Sequence, residues 1–458
     1  MSVSAVAEAC AEPAAAAGLR LAPTAALLFF ARSLQYVIVG ATGVILARGL
    51  GPEGRGVFGL INETALMASS LPGLGLEAAG IFLVGQKRFS LQNVVSNGLC
   101  WTLGLALIFA GLVVTLLFTN ESLLGMSARE LSIALAGASL IMICDGVGEY
   151  LMPLNRTVAY TTLKTLIPVL RFAGIAVLAL GIGLSVDKAA AVWIGSLAVA
   201  AVLTIVTLSR DIRFLPRLDI SALRAQASYG ARTQAGWIFQ ALNHRLDVFV
   251  VGYFVGTAGV GYYLVGVNLA ELSWWVPMAL GTVLFPKASA MGARDNFDMS
   301  AAACRRTLAI NFAACLGLLV VVRPLITVVY GGEFQPSVDV FTILVPSGLI
   351  YTVHKVLGTS MAAHGRPQVT LFGGLASFPA TVGLNLLLVP AWGITGAAVA
   401  SVLAYSINAI VVLTLFLRSS GLHLRDVLII NGRDLEAARG LWAARFGGTG
   451  PFAGEGRS

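Results

Sequence analysis

Apolar residues in this chain come in long blocks separated by short polar or basic stretches. A helix that crosses a bilayer core needs about 20 predominantly apolar residues. Twelve blocks reach that length, near 24–48, 57–84, 94–118, 131–153, 158–182, 189–209, 230–255, 260–286, 307–330, 338–362, 367–390 and 394–417. The pattern predicts an all-α polytopic membrane protein with about twelve transmembrane helices. Pro72-Gly73 in the second block and Pro277 in the eighth predict kinks. Helices in lipid tolerate them when neighbours re-satisfy the freed backbone groups.

Composition narrows the class. Apolar residues make up 57% of the 458 residues and charged ones 11%, against about 25% charge in an ordinary soluble domain. Such a chain lacks the polar groups to cover a soluble surface. A soluble enzyme, a disordered chain and a nucleic-acid-binding module are excluded, and the net charge of +8 calls for a membrane explanation first. Cys100, Cys144 and Cys315 sit in apolar stretches as packing residues. With Cys10 and Cys304 they make an odd count without a CxxC, so no disulfide framework, metal site or cofactor is implied.

The basic residues are distributed unevenly. Nineteen of the 30 Lys and Arg fall in the two tails and the even-numbered loops, including Lys87, Arg88, Arg210, Arg213, Arg305 and Arg306. Only four, Arg48, Arg55, Arg129 and Lys188, lie in the odd-numbered loops and their edges. The positive-inside rule then places both termini in the cytoplasm. The first 22 residues lack a basic stretch followed by an apolar one and read as a flexible cytoplasmic tail rather than a cleaved signal.

A shift of 205 residues superimposes Gln35 on Gln240, Gly51 on Gly256, Gly54 on Gly259, Gly56 on Gly261, Ala65 on Ala270 and Pro72 on Pro277. The glycines and prolines fall at equivalent turns and kinks, where they set backbone geometry. The reading is two parallel six-helix lobes, 23–209 and 225–418, with a central cavity between them. A basic cytoplasmic linker, 210–224, joins them, with tails at 1–22 and 419–458. The competing explanation is chance similarity between two hairpins. Residues 422–445 are part apolar and part basic, and form either an amphipathic surface helix or a solvated tail.

Short motifs then bring in a resemblance. Ala47-Arg48-Gly49-Leu50-Gly51-Pro52-Glu53-Gly54-Arg55-Gly56 resembles the first outer turn of oligosaccharide flippases, of the multidrug/oligosaccharidyl-lipid/polysaccharide exporter superfamily. Arg245-Leu246-Asp247, Gly261-Tyr262-Tyr263, Leu284-Phe285-Pro286, Tyr330-Gly331-Gly332-Glu333-Phe334 and Gly393-Ile394-Thr395-Gly396 resemble later family segments, in order, over 24–418. The resemblance implies a V-shaped, twelve-helix protein of a bacterial inner membrane that alternates between inward- and outward-open states. Its cargo would be a polyprenyl-diphosphate-linked sugar unit. Implied partners are that lipid-linked oligosaccharide, membrane lipids, and polysaccharide polymerase and export components, with no nucleic acid.

Ionisable groups inside spans are the candidate machinery, because each costs about 2.5–3.5 kcal/mol on insertion scales. Arg245 lies eleven residues before Gly256, about 16 Å from the outer edge of a core roughly 30 Å thick. Arg171, ten residues before Gly181, sits at about 15 Å. One midplane arginine per lobe suits a diphosphate, since the planar guanidinium stays charged and presents a fork of donors. The alternatives are structural: Arg245 paired with Asp247 or Glu271, Arg171 with a carbonyl or Glu149. Asp145 and Glu149 share a helix face and meet Lys164 at similar depth, as a structural pair or a proton relay. His354-Lys355 either extends a basic track towards the cytoplasm or snorkels. The expected substrate contacts are therefore Arg245, Arg171, Lys164 and Lys355, with Asp145, Glu149, Asp247 and Glu271 for ion coupling or charge pairing. Trp274-Trp275 either stacks on a sugar or packs.

No nucleotide-binding lysine loop, HExxH or nucleophile elbow occurs, so the chain reads as a transporter rather than an enzyme. Two rivals remain: a cation-coupled multidrug exporter of the same superfamily, and a non-transporting scaffold of a polysaccharide assembly complex.

Overall fold

The computed structural model describes the backbone of residues 14–70, 73–86, 88–119, 125–152, 154, 156–211, 218–432 and 434, with side chains from Ser33 onward. Cys10, Pro72, Lys87, Arg213, Arg217 and the tail after 434 lie outside the described residues, as does the side chain of Arg232. Among the described residues the chain is α-helical and has no strand.

The helices are α1 (Ala14–Ser70), α2 (Leu76–Gly85), α3 (Leu91–Thr119), α4 (Ala128–Ile141), α5 (Thr157–Val177), α6 (Val186–Ser209) and α7 (Ile220–Phe254). They continue as α8 (Thr257–Ala270), α9 (Trp275–Ser289), α10 (Ala293–Leu325), α11 (Pro336–Leu344), α12 (Ser347–Ala363), α13 (Gln368–Ser420) and α14 (Leu424–Leu428). Among the described residues, eight helical stretches are long and apolar enough to cross a membrane by length and composition. Two long helices each contain one break: α1 bends at Gly51 (φ +67°) and α13 at Gly393 (φ +60°). Each therefore supplies two of the predicted spans.

Glycine sets the turns at the end opposite the basic loops. Each of the six predicted turns there holds a glycine with positive φ: Gly51, Gly125, Gly183, Gly256, Gly331 and Gly393. A side chain is strained in this region, which glycine enters freely. Gly51 and Gly256, equivalent under the 205-residue shift, both have positive φ (+67° and +92°).

The second predicted span is broken rather than kinked. α1 stops at Ser70 and α2 starts at Leu76, with Leu74 and Gly75 both at positive φ. The carbonyl freed at the end of α1 finds a partner on α7, where Gln234 Nε2 donates to Ser70 O (2.6 Å), and Gln226 Nε2 donates to Leu76 O (3.3 Å) in the first turn of α2. The eighth span is interrupted by a 3₁₀ turn, Glu271–Trp274, just before Pro277. A proline ring clashes with the carbonyl four residues earlier, here that of Ser273, which explains why the break lies upstream of the proline itself.

α7 begins at Ile220, inside the stretch expected to be a linker. Asp219 caps it: its Oδ1 accepts from Ser221 N (3.0 Å) and Ala222 N (3.1 Å). Asn93 Nδ2 donates to its other oxygen (2.8 Å). These bonds, with the Ser221 hydroxyl foremost, hold the Asp219 carboxyl below the usual carboxylate range.

Two compact units emerge. One contains the described residues up to Ile238 with Val255–Gly261 and Val329–Glu333; the other contains Phe239–Phe254, Tyr262–Val328 and the chain from Phe334. Lipid is as apolar as leucine, so small residues and interhelical hydrogen bonds must do much of the packing. In the first unit Gly137 faces the fully buried Trp193, and Gly98 faces the fully buried Tyr150. In the second, Asn243 Nδ2 donates to Gly374 O (3.0 Å) and Ser377 Oγ (2.9 Å), while its Oδ1 accepts from Thr381 Oγ1 (2.7 Å).

Candidate functional site

In the first unit the charged group forms where α4 loses its regular winding. The helix widens into a π turn at Met142–Val147, which carries Asp145. Such turns re-aim side chains and recur at functional sites. Lys164 of α5 forms an ion pair with Asp145, and its ammonium lies 5.5 Å from the centre of the Tyr160 ring. Glu149, one turn beyond Asp145, acts electrostatically on the same ammonium. Glu77 of α2 joins them: its carboxylate occupies the space left by Gly146, where a Cβ would stand 2.6 Å from Oε1. Lys164 therefore meets the carboxylates expected of it, while Glu77 stands against Gly146 of the same π turn.

Arg171, two turns along α5, is not held by a carboxylate in the same way. Its guanidinium carbon lies 5.9 Å from the centre of the Trp193 ring, a cation–π distance. Its Nε is buried without a hydrogen-bond partner, as is Trp193 Nε1.

The second unit holds the other four expected residues. Arg245 Nη2 lies 3.2 Å from Glu271 Oε1, with the two side chains 26% and 25% exposed. The 3₁₀ turn presents Glu271 to Arg245 and Trp274 to the opposite neighbours. Asp247, two residues on, points elsewhere. Tyr263 Oη (2.5 Å) and Ser401 Oγ (2.8 Å) donate to its Oδ2, and Val248 N (2.8 Å) donates to Oδ1. Lys355 on α12 lays its stem against Gly281, and the neighbouring His354 is buried.

His244 turns into an aromatic group. Its ring lies 5.1 Å from both Trp274 and Tyr405, and Trp274 stacks on Tyr351 at 4.6 Å. The indole N–H donates to Ser347 Oγ (3.2 Å). Trp274, only 9% exposed, is packed against other side chains.

Glu77, Tyr263, Ser401, Tyr351 and Tyr405 were not among the sequence candidates for the sites. Each acquires its place from a partner on another helix; in the sequence, Tyr263 stands in the Gly261-Tyr262-Tyr263 motif and Glu77 is a carboxylate within the second apolar block. The chemistry available is that of arginine and lysine held by carboxylates. A guanidinium fork binds a phosphate in the same bidentate geometry as a carboxylate.

Known proteins resemble the chain as a whole. Residues 45–339 match the family model described as polysaccharide biosynthesis protein. The probable flippase AglR of Haloferax volcanii is 23% identical over 419 residues, covering 85% of this chain and 82% of its own. The probable low-salt glycan biosynthesis flippase Agl15 of the same organism is 24% identical over 169 residues. That match spans 36% of this chain, and the chain covers only 36% of that relative's length. Among solved structures, the lipid II flippase MurJ in an inward closed conformation shares the fold, with a TM-score of 0.72 at 15% identity over 92% of this chain and 93% of the other.

Proposed function

This chain belongs to the family of polysaccharide biosynthesis proteins, and from that premise we propose that it is a flippase for a polyprenyl-diphosphate-linked oligosaccharide. It takes the cargo from the cytoplasmic leaflet of the inner membrane and releases it to the outer leaflet by alternating access. Relatives named as flippases support the activity, and one of them is matched along most of its length. Within the molecule, the observation that carries the reading is the Arg245–Glu271 pair. A cation in a membrane span whose carboxylate partner is itself about a quarter exposed is reachable by a ligand, and its chemistry selects an anion.

In this reading Arg245, Arg171, Lys164 and Lys355 are the cations that contact the anionic cargo. Asp145, Glu149, Asp247 and Glu271 are counter-charges that hold the cations between turnovers. The cargo is moved and not chemically changed. Both termini lie in the cytoplasm, as the charge asymmetry supports. Polymerase and export components act on the glycan after its release.

The test is a comparison of lipid-linked glycans in the two leaflets of cells depleted of the protein. Cytoplasmic-leaflet accumulation, relieved by the wild-type chain and not by Arg245→Gln, is the expected result. Equal rescue by Arg245→Gln would remove that arginine from the site, and no accumulation on depletion would overturn the flippase reading.

A further inference from the structure

The 205-residue repeat has a physical counterpart at the end of the spans opposite the basic loops. Pro52 starts a helix just after Gly51, and Thr257 starts one just after Gly256. Both helix starts, with the segment Val329–Glu333, fall in the first unit. Four residues into each helix comes a glycine, Gly56 and Gly261, and both are buried.

A Cβ added at Gly56 would overlap the carbonyl oxygen of Thr257, and one added at Gly261 would overlap the carbonyl oxygen of Pro52. Both approaches fall far inside 3.0 Å, a limit that real Cβ atoms essentially never cross. Pro52 and Thr257 are themselves equivalent under the shift. The contact is therefore reciprocal: the glycine of each repeat meets the first carbonyl of the other. This is the self-complementary pattern of an isologous contact. Close approach of this kind brings Cα–H groups onto carbonyl oxygens, as at tightly packed helix pairs. Beside it, Arg48 Nε donates to Val329 O (2.8 Å).

Backbone-to-backbone contact leaves no room for a glycan or a lipid tail between these turns. Other glycines nearby do not share this role: Gly54 faces the side chains of Leu50 and Val186, and Gly43 has nothing within 4 Å.

We propose that Gly56 and Gly261 are paired positioning residues whose reciprocal crossing closes this end of the protein, and that the crossing must part for cargo to leave there. The geometry stands by itself; the role in release rests on the flippase reading. Packed interfaces of this kind separate as units rather than deform, so a single methyl group should unseat the crossing.

The test uses the full chain in membranes with Cys10, Cys100, Cys144, Cys304 and Cys315 replaced by Ser, and with Pro52→Cys and Thr257→Cys introduced. A short bis-methanethiosulfonate links the two thiols, and dithiothreitol releases them. The expected result is ready linking, cut about tenfold by either Gly56→Ala or Gly261→Ala and unchanged by Gly43→Ala. Linking should stop movement of lipid-linked glycan, and the reductant should restore it. That second arm keeps both glycines, so it is immune to misfolding of the glycine variants. Linking that is indifferent to Gly56→Ala and Gly261→Ala overturns the role of the glycines. Glycan movement that continues in the linked protein overturns the need for the crossing to part. If the unlinked protein moves no glycan, the flippase reading fails while the linking yields still decide the crossing.

Discussion

Arg245 and Asp247 stand two residues apart on α7 and serve different networks, because a two-residue step on a helix turns a side chain to another face. Asp247 is 2% exposed and accepts hydrogen bonds from two hydroxyls and a backbone amide. Asp247→Asn puts an amide donor where Tyr263 and Ser401 donate, and should cost about 1–3 kcal/mol, read as a lowered thermal midpoint in detergent. Asp434 offers a pH test outside the membrane. Its carboxylate lies 2.8 Å from both Arg305 Nε and Arg306 Nε. Burial pushes its carboxyl up, but hydrogen bonds from these two arginines outweigh it and hold the value at about 2. The unfolded value is about 3.9. The pair therefore stabilises the docked segment fully at pH values above that, by roughly 2 kcal/mol, and the gain is lost as pH falls through about 2. Asp434→Asn should make the chain after Gly421 more open to protease at neutral pH, and the difference from wild type should shrink below about pH 4. An undiminished difference at pH 3 would count against the arginine contacts as its source. Of these residues the sequence showed the charges and their depth. It did not show that Arg245 chooses Glu271 or that Asp247 chooses Tyr263, since those partners lie on different helices.

Element boundaries follow local chemistry closely where glycine and capping residues set them. Gly393 at φ +60° divides α13, and Gly393→Ala should destabilise the fold by about 1–2 kcal/mol through backbone strain. Gly111, a helical position with nothing within 4 Å, should tolerate Ala or gain slightly. Thermal unfolding of the two variants side by side checks the contrast. Asp219→Ala removes the cap of α7, worth about 1 kcal/mol, and should raise proteolysis in the segment before Ile220. The π turn at Asp145 and the 3₁₀ turn at Glu271 were not legible in the sequence, although Pro277 marked the second region. Both present a carboxylate to a cation on another helix.

At the scale of the molecule, topology is the prediction to test. Epitope tags at the two ends should both be protected from impermeant reagents in intact cells, and a tag after Gly183 should be reached. Protection of only one terminus would mean an odd number of spans. The amino-acid sequence by itself determined the membrane class, the twelve apolar blocks and the turn glycines. Each of these is local: block length is set by the thickness of lipid, and turn geometry by a missing Cβ. The family motifs were likewise readable in order along the chain. Only the tertiary structure decided which cation meets which carboxylate, which carbonyls the glutamines of α7 reach, and that Gly56 and Gly261 face each other's first carbonyl. Those outcomes depend on which helix faces lie together, whether 19 residues apart, as for Asp145 and Lys164, or 164 apart, as for Ser70 and Gln234, and helix periodicity places a side chain on a face without saying what that face will meet.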